Sequence, residues 1–320
     1  MQDMMGGFFG LELPDYGNFP YAESPCCAYV SSGRAAFECL LQHLPRPDRL
    51  WIPRFICDTV LQAPQRLGIP VGRYDSTAQL EPLLPDIPAG DLILLVNYFG
   101  LTSSRLKATL SRYPGQCIID ATTSLYTPPP AGAPAFYSPR KFSGVADGGI
   151  ALAPFALHNL PQDTDSSSAS SLHLLERLEA GAARALPACE EAEARLNAPP
   201  RLMSPLTRRL LRSIDFNHAA ACRCRNYGIL HRALGGINRL DLPEAPEHAP
   251  MCYPLLCGIP MLRDSLIDAG VALPLYWPEV IENTGACDTA NYLARQLIPL
   301  PLDQRYQEAD MQRLIDLILS

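Results

Sequence analysis

Short apolar runs alternate with segments of helical periodicity along the first half of the chain. The apolar runs are LWIP (50–53), DLILLVNYFG (91–100), QCIIDATTSL (116–125) and GGIALA (148–153). The amphipathic segments between and before them are 31–44, 57–68 and 103–115. Buried strands that alternate with helices are typical of a mainly parallel sheet covered on both faces. The pattern therefore predicts an α/β fold with a three-layer αβα large domain.

The sequence after this region predicts a second, smaller unit of α+β type. A polar stretch, QDTDSSSASS (162–171), reads as an exposed loop, and helical patterns follow it. The C-terminal third then gives a strand at 253–261, a helix at 261–271, a strand at 294–302 and a terminal helix. The apolar face predicted for that last helix comprises Leu314, Ile315, Ile318 and Leu319. We predict a large domain at 1–200 and a small domain at 201–320, a division that suits 320 residues.

Composition and charge narrow the classes of function. A net charge of −7 disfavours nonspecific nucleic-acid binding, which needs a basic surface. The 11 cysteines form no disulfide framework and the six histidines show no metal-ligand spacing, so we predict reduced thiols, no metal site and a cytoplasmic protein. The first 17 residues lack the basic and apolar regions of a signal peptide, and the longest apolar run is too short to span a membrane.

Lysine is scarce in this chain, and one of the two lysines lies in an unusual context. Lys141 stands within FYSPRKFSGVADGGIAL (136–152), whereas arginine supplies 24 of the 26 basic residues. A lysine amine can form a Schiff base with an aldehyde or ketone, which the permanently charged arginine cannot do. A surface lysine is the competing interpretation.

Two further candidates precede Lys141 at the predicted carboxyl ends of strands. The stretch SSGRAA (31–36) opens a helix, whose free N–H groups and dipole favour a phosphate, although an ordinary capped helix has the same pattern. Asp120 ends the apolar run CIID and could hold a proton on a ring nitrogen, or cap a turn. This order of helix start, strand-end aspartate and lysine suits pyridoxal phosphate.

The same blocks resemble a known family. The sequence resembles fold-type I pyridoxal-phosphate enzymes of the DegT/DnrJ/StrS sugar aminotransferase family. The segments that carry the resemblance are GGFFGLEL (6–13), YVSSGRAAFECLL (29–41), WIPRFICDTV (51–60), LLVNYFG (94–100), IIDATTSL (118–125), YSPRKFSGVADGGIAL (137–152), RCRNYGILHRAL (223–234) and the small-domain blocks after residue 261. The aspartate and lysine blocks are the most specific of these.

The resemblance implies a role for single residues of this sequence. Lys141 would bind the cofactor aldehyde as a Schiff base and later move a proton, and Asp120 would pair with the pyridine nitrogen. The residues implied at the cofactor phosphate are Gly33, Arg34, Ala35 and Ser138. The resemblance also implies a homodimer with the active site at the interface, and nucleotide-sugar and amino-acid substrates.

The sequence departs from the family pattern at several of these positions. Arg34 stands where the family has threonine, and Cys57 stands where an aromatic residue stacks on the cofactor ring. Thr123 replaces a glutamine or histidine, and Ser138 lies three residues before the lysine instead of five. These departures keep open a second interpretation, a non-catalytic or regulatory protein of the same fold that binds the cofactor or a sugar nucleotide.

Several other residues are weaker candidates for the same pocket. Arg54 and Arg140 could hold a substrate carboxylate or diphosphate, because the arginine fork suits both groups. Tyr98 could line the pocket or pack in the core. Asn226 could reach a phosphate across a dimer interface or lie on a helix surface. A further pair, Tyr276 and Trp277, could rim the substrate entrance or pack within the small domain.

Overall fold

The computed structural model describes residues 9–130, 132–196, 199–282 and 288–320. Of the N-terminal segment 6–13 that carries part of the resemblance, residues 6–8 lie outside these ranges. The main sheet in the described residues comprises β1 (Cys27–Val30), β2 (Leu50–Pro53), β3 (Val71–Ser76), β4 (Pro82–Leu83), β5 (Leu92–Val96), β6 (Cys117–Asp120), β7 (Ala135–Tyr137) and β8 (Gly149–Leu152). A separate two-stranded antiparallel sheet joins β9 (Tyr253–Leu255) and β10 (Ile298–Leu300).

Helices surround these sheets. They are α1 (Gly33–His43), α2 (Gln62–Arg66), α3 (Ser103–Arg112), α4 (Leu172–Ala180), α5 (Ala182–Arg195), α6 (Pro205–Arg212), α7 (Phe216–Leu234), α8 (Leu262–Asp268), α9 (Pro278–Glu282), α10 (Asp288–Gln296) and α11 (Glu308–Leu319). Within the described ranges, none of them is both long and apolar enough to cross a bilayer. The ten cysteines of those ranges are free thiols.

The main sheet is mostly parallel, as predicted. Its strand order is β1-β8-β7-β6-β5-β2-β3-β4, and the central run from β7 to β3 is parallel throughout. β8 pairs antiparallel with both β7 and β1, and β4 is an antiparallel edge strand. Parallel strands direct their carboxyl ends to one edge of the sheet, which is where ligands gather in folds of this kind.

Strand β5 shows that both faces of the sheet are covered. Leu92, Leu94 and Val96 pack into one hydrophobic cluster, which also contains side chains of α1, α7 and α11. Ile93 and Leu95 pack into a second cluster with side chains of α3 and α6. All five residues are buried, because successive side chains point to opposite faces of a strand and each face here has a helical layer. The three-layer prediction is confirmed.

The C-terminal elements agree with the sequence pattern in type and order. β9, α8, β10 and α11 fall within the segments predicted for them. The terminal helix differs in one detail of its buried face: Met311 is buried and Leu319 is 54% exposed, so the prediction for Leu319 was wrong. Leu319 is the last helical residue and lies beyond the packing surface. The domain boundary at residue 200 stays a prediction, and α6, which follows it, packs against the main sheet.

Candidate active site

A cavity of about 220 Å³ opens at the carboxyl edge of the main sheet. It lies beyond the ends of β2, β6 and β7, beside the N-terminus of α1. Six of the eight residues predicted at the cofactor site line it: Gly33, Arg34, Cys57, Asp120, Ser138 and Lys141. These residues come from four separate stretches of sequence, so the fold alone brings them together.

The N-terminus of α1 forms one wall of the cavity. Ser32 caps the helix, and its hydroxyl accepts a hydrogen bond from the N–H of Ala35 at 3.1 Å. Gly33 lies against the strand-end segments, where an added Cβ would stand 3.3 Å from Cγ2 of Thr122 and 3.4 Å from Cβ of Ser138. Glycine at this position therefore lets the helix N-terminus approach both segments closely.

A second glycine explains the Gly-Gly pair that follows the lysine block. A Cβ on Gly149 would stand 2.0 Å from the carbonyl oxygen of Ser32 and 2.7 Å from the backbone nitrogen of Gly33. Gly148 adopts φ = +122°, which favours glycine, and its N–H donates to the carbonyl of Ser31 at 2.7 Å. The start of β8 thus packs directly against the backbone at the N-terminus of α1.

Asp120 is a buried carboxylate at the last position of β6. Its Oδ1 accepts a hydrogen bond from the N–H of Thr122 at 2.9 Å, the local turn that aspartate often makes with the residue two positions on. Burial raises the pKa of Asp120, while the positive charge of Lys141 and the hydrogen bonds from Thr122 oppose that rise. The buried acid is therefore held close to a cation.

Lys141 ends a single helical turn, Pro139–Lys141, that follows β7. Its backbone is fixed by the next residue: Phe142 is buried, and the guanidinium of Arg223 lies 5.0 Å from the centre of its ring. The Lys141 amine donates to Oγ1 of Thr122 at 3.1 Å. The Lys141 side chain is solvent-accessible because it faces the open cavity, yet protein groups surround it. Desolvation lowers the pKa of Lys141, and the nearby Asp120 charge partly offsets this effect.

Cys57 and two aromatic residues form another part of the cavity wall. Cys57 precedes a short helical turn, Asp58–Leu61, and its thiol lies 3.1 Å from the hydroxyl of Thr59. Burial raises the pKa of the Cys57 thiol, so it is a poor thiolate. Tyr276 and Trp277, which the sequence suggested as a rim, do line the cavity. The ring of Trp277 also packs edge-on against Phe55 at a centroid distance of 4.5 Å.

One carboxylate bridges two arginines of the cavity wall. Glu193, on α5, accepts from Nη2 of Arg34 at 2.6 Å through Oε1 and from Nη2 of Arg140 at 2.7 Å through Oε2. Burial acts to raise the pKa of Glu193, but Arg140 and Arg34 outweigh it and hold that pKa below its usual range. Arg34 and Arg140 are therefore already paired with a carboxylate of the protein itself, that of Glu193.

Comparison with solved structures identifies the fold. CalS13, a sugar aminotransferase from Micromonospora echinospora, aligns with 92% of this chain and 87% of its own at a TM-score of 0.60 and 15% identity. A DegT/DnrJ/EryC1/StrS aminotransferase from Brucella abortus gives a TM-score of 0.61 and 16% identity, with 92% and 85% covered. Spr1654 from Streptococcus pneumoniae, assigned as a sugar aminotransferase and solved in its PLP form, gives 0.64 and 14%, with 95% and 87% covered. The chain has the sugar-aminotransferase fold.

No protein-family model matches the chain, and no curated protein is significantly similar to it. The likeness to these aminotransferases therefore lies in the three-dimensional arrangement and in the short blocks that carry Asp120 and Lys141.

Two of the eight predicted site residues do not line the cavity of this aminotransferase fold. Ala35 gives its N–H to the cap residue Ser32. Thr123 is buried beneath the site, where its hydroxyl donates to the carbonyl of Asn97 at 3.1 Å and accepts from the N–H of Phe99 at 3.1 Å. Thr123 thus fastens the loop after β5 to the loop after β6.

Three weaker candidates also lie elsewhere in the fold. The Nε of Arg54 pairs with Asp75 at 3.0 Å, away from the cavity lining. Tyr98 is a core residue, and its hydroxyl donates to the carbonyl of Phe55 at 2.7 Å. Asn226 is fully buried and donates to the carbonyl of Leu302 at 3.0 Å, so it fixes the segment after β10 instead of lying on a helix surface.

Two residues of the site were missed by the sequence analysis. Thr122 has a recognisable signal, because an aspartate at a strand end commonly bonds the residue two positions later and so orients it. Glu193 has no such signal. It is one of three glutamates in EEAEAR, and only the packing of α5 over the cavity distinguishes it.

Proposed function

We propose that this protein is a pyridoxal-phosphate-dependent aminotransferase. The observation that carries the proposal is the convergence of Asp120 and Lys141 on one cavity at the N-terminus of α1. A structural dimer or a simple binding protein would need neither a buried acid nor an amine with a lowered pKa at this place. The named structural neighbours, which are aminotransferases, support the same activity.

The residues present fit the phosphate end of the cofactor. The first turn of α1 directs backbone N–H groups and the positive end of the helix dipole into the cavity, an arrangement that binds phosphate elsewhere. Because Gly33 has no side chain, the space beside Thr122 and Ser138 stays open at this helix end. The backbone N–H groups of Gly33 and Arg34 and the hydroxyl of Ser138 would hold the phosphate.

The residues present also fit a pyridine ring. Asp120 is buried, and a carboxylate in such a place can keep a ring nitrogen protonated. Cys57 would lie beside the ring in place of an aromatic residue, contributing a thiol whose raised pKa keeps it neutral. The donor set of one carboxylate, one amine and one helix N-terminus matches the ring nitrogen, the aldehyde and the phosphate of pyridoxal phosphate.

Lys141 would carry the proton chemistry. Pyridoxal phosphate, when bound, supplies a reactive aldehyde and a ring that accepts an electron pair from the substrate carbon. Desolvation favours the neutral form of Lys141, and only that form can attack an aldehyde or take a proton. Thr122 would orient the amine through its hydroxyl, and Asp120 would hold the positive charge of the ring nitrogen.

The finer assignment is a proposal of the same kind. We infer that the amino group passes from an amino acid, with glutamate the first choice, to a nucleotide-linked keto sugar used in polysaccharide or glycoconjugate synthesis. Support comes from the structural neighbours named as sugar aminotransferases. A cytoplasmic homodimer whose active site lies at the interface belongs to this proposal.

The decisive experiment is reductive trapping of the cofactor. Purified protein is mixed with pyridoxal phosphate, its visible absorption is recorded, and borohydride is added before peptide mass spectrometry. We expect a yellow band and a reduced adduct on Lys141. The matched control is Lys107→Ala, since Lys107 is the second lysine of the chain and lies exposed on α3. Lys141→Ala should lose the band and the adduct, whereas Lys107→Ala should keep both.

A trapped adduct establishes cofactor binding but not transfer. Addition of candidate amino acids should then bleach the yellow band as the cofactor takes up the amino group. A stable band with every amino acid would favour the non-catalytic alternative. No band in the wild-type protein would refute the cofactor assignment altogether.

A further inference from the structure

Glu193 holds two arginine side chains with separate oxygens. Oε1 accepts from Arg34 at 2.6 Å and Oε2 accepts from Arg140 at 2.7 Å. Neither arginine is close to the other in sequence, since Arg34 belongs to α1 and Arg140 follows β7. The two guanidinium groups therefore meet around one carboxylate only because the fold brings α1, α5 and the Lys141 turn together.

The arginines and the glutamate of this contact differ in the solvent exposure of their side chains. The side chains of Arg34 and Arg140 are each 16% exposed, whereas that of Glu193 is 49% exposed. All three residues line the cavity, but the glutamate comes from α5, which packs with α4 as a helical pair. The cationic pair is thus the fixed component and the carboxylate is the exchangeable one.

Arg140 retains a hydrogen-bond donor that Glu193 does not use. Its Nε is buried and has no hydrogen-bond partner among the described residues. An arginine that binds a carboxylate with its full fork uses two parallel N–H groups, whereas Glu193 engages one nitrogen of Arg140. A ligand carboxylate that reached deeper into the cavity could accept hydrogen bonds from both Nε and Nη2 of Arg140. Glu193 accepts only from Nη2.

This subsite lies next to the amine proposed to carry the chemistry. Arg140 immediately precedes Lys141, and the charges of Glu193 and Arg140 both act on the pKa of Lys141. In an α-amino acid, the carboxylate and the amine are attached to the same carbon. A carboxylate at Arg34 and Arg140 would therefore bring an amino group towards Lys141.

We propose that Arg34 and Arg140 bind a carboxylate of the amino-acid donor, and that Glu193 occupies this subsite until the donor displaces it. The identity of the ligand rests on the proposed function, while the anion site itself rests on the geometry above. Glu193 acts as an internal competitor. It neutralises the arginines in the free protein and sets the donor concentration at which the subsite fills.

The test is calorimetric binding of glutarate, a dicarboxylate without an amine, to the protein free of cofactor. We expect Glu193→Gln to tighten glutarate binding by about tenfold, the effect of removing one charged hydrogen-bonded competitor. Arg140→Gln should abolish binding, and Arg140→Lys, which keeps the charge but loses the fork, should weaken it. The matched control is Glu191→Gln, an exposed glutamate of the same helix, which should behave as wild type. Unchanged glutarate affinity in Glu193→Gln would overturn the proposal.

Inorganic phosphate is the second probe, because the arginines could serve the cofactor phosphate instead. If Glu193→Gln tightens phosphate binding and leaves glutarate binding unchanged, the donor assignment is overturned in favour of the cofactor. The absorption band with pyridoxal phosphate is recorded on the same variants. A missing band in the wild type would count against the proposed function, whereas the response of glutarate to Glu193→Gln would still decide the carboxylate subsite.

Discussion

The amine of Lys141 donates a hydrogen bond to the hydroxyl of Thr122, with an Nζ–Oγ1 distance of 3.1 Å. The N–H of the same threonine donates to Oδ1 of Asp120 at 2.9 Å. One small residue therefore contacts both the amine and the buried carboxylate. Its two functions, through the backbone and through the side chain, can be separated by substitution.

Thr122→Val should separate them. The valine keeps the branched shape and the backbone N–H but has no hydroxyl to orient the Lys141 amine. We expect reaction with pyridoxal phosphate to slow by up to about tenfold, since one hydrogen bond contributes roughly 0.5–1.5 kcal/mol. Stopped-flow absorbance measures the rate, and Thr122→Ser should restore most of it. A valine variant as fast as wild type would mean that the contact does not position the amine.

The pH dependence of Lys141 reactivity follows from its surroundings. Desolvation lowers the pKa of Lys141, so its neutral form should appear at lower pH than the ordinary lysine value of about 10.4 implies. Asp120→Asn removes a negative charge that favours the ammonium form and should move the midpoint lower still. Acetic anhydride labelling across a pH series, read by mass spectrometry with Lys107 as the internal standard, measures the midpoint. A midpoint above the ordinary value, or a rise in Asp120→Asn, would contradict this account.

Gly149→Ala should damage both stability and the cofactor site. The new Cβ would stand 2.0 Å from the carbonyl oxygen of Ser32, so the N-terminus of α1 would have to move. We expect a loss of roughly 3 kcal/mol in the free energy of unfolding, the upper part of the range for overpacking, and weaker pyridoxal phosphate binding. Denaturant titration measures the first. Gly236→Ala, where nothing lies within 4 Å of the added Cβ, is the control and should change stability little.

The ion pairs of Glu193 should make stability depend on pH. Its pKa is depressed in the folded protein, so its stabilising contribution is fully present above the unfolded value of about 4.3 and is lost as the pH falls through the lower folded value. Because the side chain is half exposed, Glu193→Gln should cost at most about 1 kcal/mol at neutral pH. The difference in stability between wild type and variant should shrink towards pH 3 in parallel unfolding curves. A constant difference across that range would show that the charge of Glu193 does not contribute.

The central strands could be predicted from sequence because their burial is complete. β5 and β6 are buried at every position. A run such as LILLV is apolar on both faces of the strand, so it predicts a buried strand without any alternation. β7 is different: it has three residues among prolines and glycines, too few to produce a period. The alternating burial of β3 is also a weak signal, because its VGRYDS sequence is mostly polar.

The residues of the site also fall into those that the sequence predicts and those that it does not. Asp120 and Lys141 could be proposed because each has a chemical reason to stand after a strand. Whether Thr122 or Thr123 faces the cavity depends on the direction of the backbone after β6. The turn at Asp120 sets that direction, and the sequence of the two adjacent threonines does not predict it. Glu193 depends on where α5 packs, some 50 residues after Lys141, and no local pattern encodes that position.

The walls of the cavity extend along the chain from Ser32 to Trp277. Contacts between such distant residues form slowly, because the entropy of closing long loops must be overcome before they are gained. We therefore expect the cavity to assemble late in folding, after the sheet. During synthesis on a ribosome, Lys141 and Asp120 would leave the exit tunnel long before Tyr276 and Trp277. A nascent chain arrested before residue 276 would present the amine and the acid without the two aromatic residues that complete the cavity.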